Sequence, residues 1–405
     1  MVDRGIATLL VGCCLLLDVV LFLLPIRQHG AGFFSYPSDQ LLHDFAYFWG
    51  GARLFWIGSL DRVFDPDSFN AWLATQLAPG SMQAFATWSY PPTMLLLLLP
   101  FGLLPLPVAF IVWLGATFAF LGLVLRSAVA DRRVALIVLL SPAAFYSLTY
   151  GQNGALTAGL LIAAIWCVDR RPILAGACAG LLIIKPQLGI LLPFAFAAGG
   201  YRRAFAAAAL VSVAMIAATV VVFGPQAWIG FVTQSMPRMT AQLLHEYGIP
   251  PQYAMPTMWV TLQGWGADRR LATIGQSLSA LVAIVLVVRA WSLPHADRRW
   301  RNALTCVLPL LATPFGYVYD ATPAMLAVAV LAQAGFSTGF AWPERAALAG
   351  LWMWPALAIT WSFYLGLHPI GGFLLLAVAL CLAWRIERSA ITRAALLRGM
   401  QATAR

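Results

Sequence analysis

The chain has 405 residues, 61% of them hydrophobic and 10% charged, with a mean hydropathy of +0.82. Soluble domains carry roughly 25% charged residues and about 45–50% apolar ones, so this chain cannot coat a water-soluble particle, and a soluble enzyme is excluded. The formal net charge is +10, but 24 of the 25 basic residues are Arg, clustered between apolar runs. That is the positive-inside pattern of a polytopic membrane protein, not a nucleic-acid surface.

About 20 apolar residues cross a bilayer. The pattern predicts spans near 5–26, 107–126, 133–149, 152–168, 172–184, 187–199, 203–223, 271–291, 302–316, 320–336, 346–366 and 371–386. The first run is too long for a signal peptide and lacks a small-residue cleavage site, so it reads as a span. Asp18, midway along it, must face the bundle as a network or proton-pathway residue. The run 91–105, between Tyr90-Pro91-Pro92 and Pro105, is too short to span and reads as re-entrant or interfacial. Spans 172–184 and 187–199 are short and flank Lys185-Pro186, which suits a hairpin whose tip reaches the outer side.

With the N-terminus inside, 18 basic residues fall inside and 7 outside. The chain then reads as one all-α polytopic unit over 1–405, with about 12 transmembrane helices. It has two long extracytoplasmic stretches, 27–106 (with interfacial helices) and 224–270, and a cytoplasmic tail over 387–405. The six cysteines all lie in apolar runs, and the five histidines have no metal spacing. No metal site is therefore expected. No cytoplasmic piece exceeds about twenty residues and no phosphate-binding glycine loop is present, which leaves no room for a nucleotide domain.

The first outer stretch carries most of the chemistry. Residues 42–58 have aromatic and apolar positions at helical spacing, as an amphipathic helix in the outer interface would. Asp44, Tyr47 and Gly51 share one face at i, i+3 and i+7. A partly desolvated carboxylate beside aromatics suits a general base; a cap on the helix start is the other reading. Arg53 follows on the same helix and could add bidentate contacts to a phosphate. Asp65-Pro66-Asp67 has the form of a metal-binding Asp-x-Asp but is also an ordinary helix start.

Further on, Tyr150-Gly151-Gln152-Asn153-Gly154 joins two spans with almost no loop. Amides beside glycines can bind hydroxyl-rich ligands, although tight-turn chemistry explains them as well. Lys185 follows an apolar run, so it must face a polar cavity or snorkel, and it could meet a lipid phosphate as a point charge. The stretch from Thr313 to Asp320 breaks two helices near the outer face, which is tolerated where a cavity is lined. Tyr319 and Asp320 are therefore candidate ligand contacts.

One ordered set of motifs runs through the chain: Asp44, Tyr47, Gly51 and Gly58; Phe64-Asp65; Tyr90-Pro91-Pro92; Gly151-Gln152-Asn153; Gly176 and Gly180 leading to Ile184-Lys185-Pro186; and the late Pro314. It resembles glycosyltransferase family 87, membrane enzymes of the GT-C fold related to polyprenyl-phosphate-mannose-dependent α-mannosyltransferases. The resemblance covers roughly residues 5–390.

The resemblance implies a GT-C bundle and an inverting transfer of a sugar, mannose, from a polyprenyl phosphate to an acceptor hydroxyl. The acceptor would be a lipid or glycan on the extracytoplasmic side, with no nucleotide and no cofactor. The family's essential first-loop Asp maps to Asp44, as base. Tyr47, Arg53, Tyr90, Gln152, Asn153, Lys185, Tyr319 and Asp320 are the expected substrate contacts. The late motif departs from the family, since Tyr319-Asp320 stand where many members have His. A stable phosphate leaving group beside a cation such as Lys185 needs no metal, and one carboxylate suffices as base, as in half of an inverting glycosidase. A flippase or transporter of a lipid-linked saccharide is the alternative; it would suit twelve spans and Asp18, but the internal repeats common in transporters are absent. A non-catalytic envelope-assembly subunit is a third. The Arg- and Ala-rich composition suggests a bacterial cytoplasmic membrane.

Overall fold

The computed structural model describes residues 43–77, 88–129, 131–245, 248, 250–294, 296–338 and 342–403. The first predicted span, with Asp18, lies outside the described residues, as does the part of the first outer loop before His43. Among the described residues every regular element is helical and there is no strand: this is an all-α polytopic membrane protein.

Among the described residues four segments are long and apolar enough to cross a membrane: Leu106–Ala128, Arg202–Phe223, Arg269–Ser292 and Val318–Gly335. Three of the other predicted spans are divided, each at or next to a proline or glycine. The run 133–149 breaks before Pro142 into Arg132–Leu139 and Pro142–Tyr150. The run 172–184 is the Pro172–Leu181 helix followed by a 3-10 turn. The run 187–199 is two pieces, Pro186–Gly189 and Leu192–Ala198. Proline has no N–H to continue the ladder and is preorganised to start the next helix, so each break follows from the residue that sits there.

Residues 92–103 form a 7-residue helix, Pro92–Leu98, and a 3-10 turn, Leu99–Leu103, too short to span. They cover the His43–Trp56 helix. Gly102 lies against that helix so closely that a Cβ would sit 2.6 Å from the Ala52 carbonyl carbon. The Trp49 indole donates to the Leu104 carbonyl at 2.9 Å and the Trp56 indole to that of Leu99 at 2.8 Å. Phe69, Leu73 and Trp88 close in over Gly50 and Gly51. The helix expected from the 42–58 pattern is therefore enclosed by protein along most of its length. It emerges at Trp56 and Ile57, which are exposed.

Polar contacts sort to two ends of the bundle. Near one end Asp169 receives Arg298 and Arg301, Glu344 pairs with Arg385, and Glu387 with Arg289. These pairs join segments that the arginine pattern puts on one side. Gly176 rests on the backbone of Ala204 and Gly180 on that of Ala208, so Pro172–Leu181 and Arg202–Phe223 run in the same direction. The chain between them must cross back, which makes 172–199 a hairpin with Lys185 at its turn, at the opposite end from the Asp169 cluster.

Candidate active site

The turn that ends Pro142–Tyr150 and starts Gly154–Cys167 organises the site. Gly151 closes the first helix at φ +68°, a conformation that costs glycine nothing. Its carbonyl accepts the Trp113 indole N–H at 2.9 Å, and the Gln152 N–H donates to Ser147 O at 2.9 Å. Gly154 lies directly on the backbone of Tyr319, where a Cβ would collide with the Tyr319 carbonyl oxygen and the Ser147 hydroxyl. Two short turns, far apart in sequence, are thereby brought into contact.

Two further segments join them. The Thr93 hydroxyl, just after Pro91-Pro92, donates to Ile183 O at 3.0 Å, tying the Tyr90 segment to the Lys185 turn. The Lys185 ammonium lies 2.6 Å from Asp320 Oδ1 and 3.3 Å from Asn153 Oδ1. It stands 4.7 Å from the Tyr319 ring centroid and 5.6 Å from that of Tyr90. The other Asp320 oxygen accepts the Tyr317 backbone N–H at 3.1 Å, and the Tyr317 and Tyr319 rings stack at 5.5 Å. Lys185 and Asp320 are 3% and 0% exposed, so this is a buried, mutually neutralising pair.

Asp44 stands at the rim of this cluster, half-buried in the first turn of His43–Trp56. Gln152 Nε2 donates to its Oδ2 at 2.7 Å, and the Tyr90 hydroxyl donates to Gln152 Oε1 at 3.1 Å. One chain of contacts therefore links Asp44, Gln152 and Tyr90, and a second links Asn153, Lys185 and Asp320. Asn153 Nδ2 is buried near the Tyr90 hydroxyl without a well-formed hydrogen bond, and a donor so placed can turn to a ligand acceptor. Burial, with Asp44 and Asp320 adding, pushes the Tyr317 phenol up to about 12. Tyr47 and Tyr150 are likewise raised, by burial first and the Asp44 carboxylate second.

Of the nine residues singled out from sequence, seven form this cluster: Asp44, Tyr90, Gln152, Asn153, Lys185, Tyr319 and Asp320. Tyr47 borders it, buried and edge-on to Phe69 at 5.7 Å. Arg53 is not brought in: its guanidinium donates to the Gly102 carbonyl at 3.3 Å, about 13 Å along the helix axis from Asp44. Asp65 caps the Pro66–Gln76 helix, accepting from the Asp67 N–H at 3.2 Å and the Ser68 hydroxyl at 2.7 Å. The Ser68 contact holds its carboxyl below the usual range, so the helix-start reading of Asp65-Pro66-Asp67 is the one the geometry supports.

The structure adds Thr93, Trp113 and Tyr317. Thr93 and Tyr317 stand beside or within stretches already singled out. Trp113 had no signal beyond being one of many aromatics near span ends.

Residues 88–314, more than half of the chain, match glycosyltransferase family 87. The chain belongs to that family. No curated protein and no solved structure matches it. As a family 87 member the protein is a membrane glycosyltransferase, which moves a sugar from an activated donor to an acceptor. Tyr90, Gln152, Asn153 and Lys185 lie inside the matched stretch. Asp44 precedes it and Tyr319 and Asp320 follow it, and the fold gathers all seven into one place.

Proposed function

We propose that this glycosyltransferase moves mannose from a polyprenyl-phosphate donor to a lipid or glycan hydroxyl, with inversion, at the extracytoplasmic face of a bacterial cytoplasmic membrane. The observation that carries the reading is the Asp44 carboxylate, at the rim of a buried polar cluster. The acceptor oxygen attacks the anomeric carbon from the face opposite the phosphate. The carbon–oxygen bond to phosphate breaks, Asp44 takes the hydroxyl proton, and polyprenyl phosphate leaves with the bonding pair. A base placed within reach of that proton contributes about 10²–10⁴-fold.

A donor dissolved in the membrane fits a chain whose connections at the arginine-rich end are all short. Asn153, through its Nδ2, and the Tyr319 ring are the sugar contacts on this reading. Lys185 has a different part from the expected phosphate contact. Its ammonium is committed to Asp320 and Asn153, so it neutralises Asp320 and orients the Asn153 carboxamide.

The test is turnover by the purified protein in lipid nanodiscs, with a hydroxyl acceptor and either synthetic polyprenyl-phosphate-mannose or a nucleotide-activated mannose. Release of polyprenyl phosphate and a product of inverted anomeric configuration, by mass spectrometry and NMR, are expected from the lipid donor. Transfer from the nucleotide donor alone would overturn the lipid-donor reading.

A further inference from the structure

We infer that Gln152 is a positioning residue, held by Tyr90 and the Asn153 backbone so that its amide N–H presents Asp44 to the acceptor as an oriented carboxylate. This rests on Asp44 being the base. It gives Gln152 a part other than the ligand contact that its sequence setting suggests.

The partners of the Gln152 amide fix which end of it faces which neighbour. Gln152 Oε1 accepts the Asn153 backbone N–H at 3.3 Å and the Tyr90 hydroxyl at 3.1 Å. A backbone N–H can only donate, so the carbonyl oxygen must occupy that side. The NH₂ group is therefore turned to Asp44, at 2.7 Å from Oδ2. A donor at that distance fixes the plane of the carboxylate. Gln152 has little freedom to do otherwise: it is 5% exposed, its own N–H is bonded to Ser147 O, and the preceding carbonyl is held by Trp113. A side chain anchored at both ends of its amide is built to orient a neighbour.

Several titratable groups face Asp44 in this site. Tyr47 does so from its own helix, Tyr90 from the segment before Pro92–Leu98, Tyr150 from the end of Pro142–Tyr150, and Tyr317 and Tyr319 from the late helix break. Lys185 faces it from the hairpin turn, with Asp320 behind. Burial pushes the phenols of Tyr47, Tyr90, Tyr150 and Tyr317 upward, so these stay neutral through the range in which a carboxylate titrates. Lys185 and Asp320 are engaged with each other. They and His43, the chain neighbour of Asp44, are left in place in every variant below.

The experiment is the rate–pH profile, from about pH 4 to 9, of the full chain in nanodiscs with polyprenyl-phosphate-mannose, for wild type, Gln152→Ala, Gln152→Glu and Tyr90→Phe. Gln152→Glu sets a second carboxylate against Asp44, so the acidic limb of kcat should move up by about one pH unit or more. Gln152→Ala should lower kcat about 10–100-fold and move the limb in the same direction by less. Donor KM should stay within about threefold in both. Tyr90→Phe removes one of the two donors on Oε1 and should lower kcat several-fold, with a small upward movement of the limb.

A raised donor KM with an unmoved acidic limb would overturn the inference and return Gln152 to the role of sugar contact. If the Gln152 variants fail to fold, as judged by size exclusion and thermal unfolding, Tyr90→Phe decides alone: an unmoved limb with unchanged kcat overturns it. Failure of the underlying reading is separate, because full turnover by Asp44→Asn would remove the base whatever the Gln152 variants do.

Discussion

Lys185 is the chain's single lysine, and its neighbours explain why it is tolerated in an apolar run. The ammonium meets the Asp320 carboxylate at 2.6 Å, the Asn153 carbonyl oxygen at 3.3 Å and the face of Tyr319. Removing one partner of such a pair leaves an uncompensated buried charge, at a cost of about 3–5 kcal/mol. Lys185→Met is therefore expected to lower Tm sharply, whereas Lys185→Met combined with Asp320→Asn should recover most of the loss. Thermal unfolding followed by tryptophan fluorescence checks this, and a double variant no more stable than the single one would show that the two sites are uncoupled. The sequence showed that Lys185, after four aliphatic residues, had to face a polar cavity or snorkel; the structure shows the first. Its partner was not legible. Asp320 lies 135 residues away, and a contact between two helix breaks leaves no local periodicity to read.

At the scale of elements, the site exists because helices stop where proline and glycine stop them. The Gly151–Gly154 turn can press against the Val318–Ala321 turn only because Gly154 has no side chain. Gly154→Ala is expected to force Tyr319 aside, with a loss of about 1–3 kcal/mol in stability and at least about tenfold in turnover, because Asn153 and Tyr319 would separate. Gly115 provides the contrast: it sits within Leu106–Ala128 with nothing near its Cβ position, so Gly115→Ala should leave turnover unchanged and raise Tm slightly. Equal effects of the two substitutions would contradict the packing described. These breaks were largely legible, since Tyr150-Gly151-Gln152-Asn153-Gly154, Lys185-Pro186 and Pro314 announce themselves. The enclosure of His43–Trp56 was less so: an apolar helix meets lipid or protein with the same pattern, and only the placement of 92–103 over it shows which covers most of it.

For the whole molecule, composition alone excluded a soluble particle, and the arginine pattern grouped the segments whose ion pairs meet at the end away from Lys185. The polar cluster lies at the turn of the 172–199 hairpin, so the molecule separates its arginine-rich end from that cluster. On the proposed reading a single carboxylate, Asp44, accepts the proton of the transfer. The most direct measurement is single-turnover transfer from polyprenyl-phosphate-mannose by wild type and Asp44→Asn in nanodiscs, with Tm and donor affinity measured on the same samples. If Asp44 is the base, Asp44→Asn loses about 10²–10⁴-fold in the chemical step, with Tm and donor affinity close to wild type. Turnover by a folded Asp44→Asn protein at the wild-type rate would contradict it.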